Sequence, residues 1–267
     1  MNKTQKKLKN IGSSPVYIIS AVFLLMSSGL LIFKFFFSPQ YFADLILPLL
    51  PGAEKSFVPD YYVYIQEYIS YPSLLIAAVF LLTFIGMLSI YITKCKKNEK
   101  CCKLGSGKGF IKTAVIIEMI LSFLFVIGLF GMQVVEITPF FVEMVDLGII
   151  IPEYQIIRFA VLLVIMVLVI VFNSIYVKKI SATIKAVDRT LKKGIIMGKV
   201  SVFLIVYNFI LIAIYAMLLV FLFINDSSEL IVKASVLCLL VSRLLSNMNL
   251  ISLRSEMLYI KARGFNS

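Results

Sequence analysis

Glu118 is the only carboxylate of this chain that falls inside an apolar span, and that position raises the first question of chemistry. An ionised carboxylate in hydrocarbon costs several kcal/mol unless a partner or a proton neutralises it, so such a residue faces the protein interior. Asn208 and Arg243 also lie inside apolar runs. Each of the three sits about eight residues from the inner end of its run, which at ~1.5 Å per residue puts all three roughly 12 Å from one boundary. Ser122 extends Glu118 along its helix, and Ser246 and Asn247 extend Arg243. The pattern predicts one buried polar cluster of Glu118, Asn208, Arg243, Ser122 and Asn247, acting either as a structural ion pair or as a transport site. An arginine at mid-span costs ~2.5–3.5 kcal/mol on insertion, which a carboxylate partner would offset.

Other chemistry is largely removed by what the chain lacks. It has no histidine, which excludes haem ligation through imidazole, HExxH zinc proteolysis and any Ser-His or Cys-His pair. No aspartate lies within a span, so a membrane aspartyl dyad is excluded. Cys95, Cys101 and Cys102 share one basic loop and Cys238 lies in an apolar run, without a CxxC motif. They are expected to be reduced thiols, with no metal site and no cofactor. The run Gly105-Ser106-Gly107-Lys108-Gly109 has neither the spacing nor the preceding strand of a phosphate-binding loop, and reads as a hinge. The chain is therefore not expected to be an enzyme.

The elements that must position these residues follow from composition. Of 267 residues 61% are hydrophobic and 15% charged, whereas a soluble domain is nearer half apolar and a quarter charged. The excess falls in blocks of about 20 residues, long enough to cross a ~30 Å hydrocarbon core. The fold class is all-α: a polytopic helical membrane protein of six transmembrane helices in one domain. The spans fall at about 16–37, 73–93, 110–132, 156–177, 200–225 and 230–251. Lys34 is expected to snorkel to the outer surface. Thr83, Gly86, Ser89 and Ile90 give the second span a face of mainly small residues for close helix packing. The fourth span, apolar nearly all round, suits a lipid-facing helix. Spans five and six, four residues apart, should be antiparallel neighbours. Tyr61, Tyr64 and Tyr68 read as an interfacial aromatic belt, and a short helix about 140–147 is expected to lie flat on the outer surface. Similar segments before and after spans two and four, such as Ser89-Ile90-Tyr91 and Ser174-Ile175-Tyr176, raise the alternative of tandem helical hairpins.

Charge gives orientation. The N-terminus, 94–109, 178–199 and the tail hold most of the lysine and arginine, while the alternating segments hold ten of the fourteen acids. The positive-inside rule places both termini in the cytoplasm, in the plasma membrane. The net charge of +12 thus serves topology and anionic lipid, not nucleic acid. Over 178–193, Ile180, Ile184, Val187 and Leu191 form one helical stripe, with Lys178, Lys179, Lys185, Arg189, Lys192 and Lys193 outside it. This segment is expected to lie on the inner leaflet as a lipid- or partner-facing basic helix, with Asp188 and Lys192 paired and Gly194 ending it. Two functions stay open. The favoured one is a non-catalytic accessory, regulatory or immunity-type subunit that binds another membrane component or a second copy of itself. The alternative is a small transporter or permease subunit using Glu118, Asn208 and Arg243.

Overall fold

The computed structural model describes residues 3–37, 59–95, 103–146, 153–224 and 230–262. Among these the chain forms seven helices and no strand: α1 (Lys3–Gly12), α2 (Pro15–Phe37), α3 (Pro59–Cys95), α4 (Gly107–Asp146), α5 (Glu153–Lys193), α6 (Val202–Ile224) and α7 (Leu230–Ala262). Six of them, α2 to α7, are long and apolar enough to cross a membrane. Each packs chiefly against the helices before and after it in sequence, and α7 closes on α2, so the six make a ring.

Small residues set the tightest joints of this ring. On α2, Ser20, Ala21, Ser27 and Ser28 are fully buried. The Ser20 hydroxyl shares a hydrogen bond with that of Ser246 (2.7 Å), and Ser242 donates to the Ser20 carbonyl (2.8 Å). One helical repeat further, Ser27 and Ser235 join across 3.2 Å, and Ser28 donates to the Ala77 carbonyl of α3 (2.8 Å). In lipid, where burial of apolar area gives no advantage to one apolar neighbour over another, such close backbone approach and hydrogen bonding hold helices together. The small face of α3 does the same for α4. A Cβ placed on Gly107 would stand 2.3 Å from the Gly86 carbonyl, and the Ser89 and Ser106 hydroxyls meet at 3.1 Å. At the far end of the α6–α7 hairpin, Leu222 and Val232 form a small core, as expected for antiparallel neighbours.

Several elements depart from the sequence reading. The segment 178–193 is not a separate helix laid on a leaflet: it is the unbroken continuation of α5, a 41-residue helix. No glycine or proline falls between 159 and 193, so nothing breaks the helix at the membrane boundary. Gly194 ends it instead, with φ +71 and its N–H donated to the Thr190 carbonyl (2.8 Å). The apolar stripe meets protein rather than lipid. Ile180 packs in a cluster with Val115, Tyr176 and Leu204. Ile184, Val187 and Leu191 join Leu8, Ile90, Leu104, Val200 and Met257. Lys178, Lys179, Lys185, Arg189, Lys192 and Lys193 are exposed on the opposite side. Similarly, the helix expected about 140–147 is not separate, because α4 runs unbroken to Asp146. A single Pro139 removes one ladder bond and does not stop it. Lys34 is only 2% exposed: α2 is flanked by α3 and α7, which close the route to the surface. The side chains of Tyr61, Tyr64 and Tyr68 lie outside the described residues.

One further helix was not expected. The basic N-terminal run forms α1, which folds back over one end of the ring. Lys7 pairs with Glu256 of α7 at 2.7 Å and lies over the Tyr259 ring. Gln5 donates to the Leu191 carbonyl at the end of α5 (2.8 Å), while Leu8 is buried. The described parts of the four basic segments thus share one end of the molecule. There the Asp188 carboxylate gathers the Leu104 N–H (3.1 Å) and the ammonium groups of Lys108 and Lys192 (each 2.9 Å). Burial alone would raise its pKa, but the two ammonium groups and the N–H outweigh it and hold the carboxyl at about 2.

Candidate functional site

Glu118 and Arg243 meet inside the ring. The Nη2 of Arg243 donates to Oε1 of Glu118 at 2.8 Å, closing α4 against α7 across the interior. The positions follow from the packing just described. Ser242 and Ser246 face α2, and residue 243, about 100° further round the helix, points to the centre. Glu118 lies three turns into α4, whose start is fixed by the Gly86–Gly107 contact.

Tyrosines complete the site, and the sequence reading did not include them. Tyr176 of α5 and Tyr215 of α6 stand beside the Arg243 guanidinium. The Tyr207 ring packs on that of Tyr176, centroids 4.6 Å apart, and its hydroxyl donates to Oδ1 of Asn173. Asn173 sits in the one span read as facing lipid all round, yet it points inward. Its amide was the available signal, since a lone amide in hydrocarbon seeks a partner. The serine pairs were also legible: Ser20 and Ser27, and Ser235 and Ser242, are each seven apart, one close-packed stripe on either helix.

The predicted cluster is partly assembled. Asn208 is 4% exposed and lines the same central cavity as Glu118 and Arg243, but its Oδ1 has no hydrogen-bond partner among the described residues. Asn247 turns aside, its amide donating to the Ile205 carbonyl at 3.5 Å. Ser122 lines a different cavity from Asn208 and shares it with Glu118. Arg243 Nε and Asn247 Oδ1 are likewise buried without a partner among the described residues. Leaving such a group without any partner costs about 1–3 kcal/mol, so the Asn208 and Arg243 atoms are polar contacts that the cavity beside them has to offer.

Two cavities meet at the pair. The inner one, about 270 Å³, is lined by residues of all six spans and reaches the basic end. Leu8, Ile11 and Gly12 of α1 line it there, together with Lys94 and Leu104. Its walls are mostly leucine, isoleucine, valine and methionine. The outer one, also about 270 Å³, lies between α4, α5 and α6 and extends the other way along the helices, past Ser122, Val126, Val169 and Leu211. Glu118, Tyr176 and Val115 border both. The Glu118 side chain is 31% exposed and that of Arg243 16%, so the carboxylate is the more accessible partner. Comparison with models of known protein families, with curated proteins and with solved structures finds no match.

Proposed function

We propose that this integral membrane protein is a small permease that handles a compact, mainly apolar solute through the centre of its helical ring. One observation carries the reading: Glu118, paired with Arg243, and Tyr176 stand between an inner cavity that reaches the basic end and a second that extends away from it to Val126, Val169 and Tyr215. A charged pair that divides two cavities can open to one side and then to the other by exchanging partners, and the buried Asn208 Oδ1 and Arg243 Nε offer replacement contacts. The protein lies in the plasma membrane with its basic end in the cytoplasm, following the charge distribution. It carries out no covalent chemistry. Solid-supported membrane recordings on proteoliposomes, with jumps in a panel of small, singly charged amphipathic solutes, test this. Charge movement is expected in the wild type and lost in the folded swap Glu118→Arg with Arg243→Glu. A swap that keeps both fold and current overturns the reading.

A second reading retains an accessory subunit that binds another membrane component. Its support is the bare surface of α5, where Val161, Val164, Ile165, Val167 and Leu168 are each about half exposed. Stoichiometric copurification of a membrane protein in mild detergent, lost on α5 surface substitutions, would favour it.

A further inference from the structure

We propose that the basic end carries a phosphate-binding pocket separate from the central site, and that its occupant is the headgroup of an anionic phospholipid. The pocket, of about 420 Å³, lies between the 195–200 turn and the end of α7. Lys199, Arg254 and Lys261 line it, and no carboxylate does. That lack of compensation sets it apart from the two ion-paired sites at this end. Lys7 is matched by Glu256, and Lys108 and Lys192 share Asp188. Lys199 and Lys261 have no ion-pair partner among the described residues. Three cations around one cavity repel one another, and an entering anion removes that repulsion.

The frame of the pocket is built rather than incidental. Arg254 donates through Nη1 to the Val200 carbonyl, which ties the turn to α7 and holds the guanidinium in the wall. Gly198 makes the turn at φ +142, where a Cβ would stand 2.8 Å from that of Ala186. The 23-residue α6 starts at Val202, two residues beyond Val200, so the positive end of its dipole faces the same region.

Position selects lipid over a free phosphate. The pocket sits where the spans end, and Ile195 and Leu258, each 45% exposed, stand among its lining residues. A lipid would place acyl chains on these apolar groups and its phosphate among the cations. A soluble phosphate would leave them uncovered.

Native mass spectrometry of the full-length protein with dioleoylphosphatidylglycerol or dioleoylphosphatidylcholine tests the assignment, with inorganic phosphate as a separate arm. One lysine near an anionic lipid changes affinity about fivefold, so Lys199→Gln with Lys261→Gln should weaken phosphatidylglycerol retention by about thirtyfold. Lys185→Gln with Lys193→Gln, an equal charge change on the exposed side of α5, should leave it unchanged. The Lys199→Arg, Lys261→Arg variant should retain the lipid, which separates lost charge from lost folding. Displacement of the lipid by millimolar inorganic phosphate shows that the phosphate is the recognised group. Binding of inorganic phosphate without phosphatidylglycerol selectivity overturns the lipid assignment. Equal weakening by both glutamine pairs, or no preference between the two lipids together with no phosphate binding, overturns the pocket.

Discussion

At the scale of single residues, the Glu118–Arg243 contact is the strongest commitment of the interior. Removing one partner of a buried pair leaves the other charge uncompensated and costs about 3 kcal/mol or more. Glu118→Gln and Arg243→Gln should each lower the thermal midpoint in detergent, while the double variant should lose far less than the sum. Strict additivity in that cycle would mean the two side chains do not act on each other. Asp188 makes a second prediction, at the basic end beyond the membrane-spanning part of α5. Its folded-state pKa lies below the ordinary 3.8, at about 2. Its contribution to stability is therefore complete above about pH 4 and disappears as the pH falls through about 2. Asp188→Asn should destabilise the protein at pH 7, and the gap to wild type should narrow steadily in unfolding measurements between pH 4 and pH 2. Both pairings were visible as residue types in the sequence, and Asp188–Lys192 also as an i,i+4 spacing. The third partner, Lys108, was not, because it arrives from 80 residues away in the chain.

At the scale of elements, α1 is the piece most open to experiment. It is ten residues long and hangs on the short Ser13-Ser14 link to α2. It closes the inner cavity with Leu8, Ile11 and Gly12. Its fixings include the Lys7–Glu256 pair, each partner about a third exposed, the Lys7–Tyr259 contact, the Gln5 hydrogen bond, and buried Thr4 and Leu8, contacts confined to one short helix that can open without unfolding the ring. Deleting residues 3–12 should leave a monodisperse protein. In that background a cysteine at Thr183, a cavity-lining position only 7% exposed, should react with a soluble maleimide at least tenfold faster than in the full-length chain. Equal rates would show that α1 does not close the cavity. Residue types alone offered no reason to expect this plug, since a basic N-terminus preceding a first span is explained by topology alone.

At the scale of the whole molecule, the ring has two chemically different ends, and that difference predicts its threading. A membrane-impermeant thiol reagent applied to intact cells should leave exposed Cys95 unlabelled, but should label a cysteine placed at Val142, which is 54% exposed near the opposite end of α4. Labelling of Cys95 from outside would invert the orientation. What the sequence determined by itself is the class of fold, the six spans and the gathering of charge, because block hydropathy and loop charge are local sums that need no knowledge of packing. It also brought out Glu118 and Arg243, since an ionisable group in hydrocarbon has few stable solutions. What only the tertiary structure decided is which faces meet. The stripe from Ile180 to Leu191 has the same period whether it rests on lipid or on protein, and only the arrival of α1, Leu104 and Met257 settles it as core. Tyr176 and Tyr215 are ordinary span residues until the closing of α7 on α2 brings Arg243 between them. Membrane helices are individually satisfied in their backbone hydrogen bonds, so their partners are chosen by contacts between residues far apart in the chain.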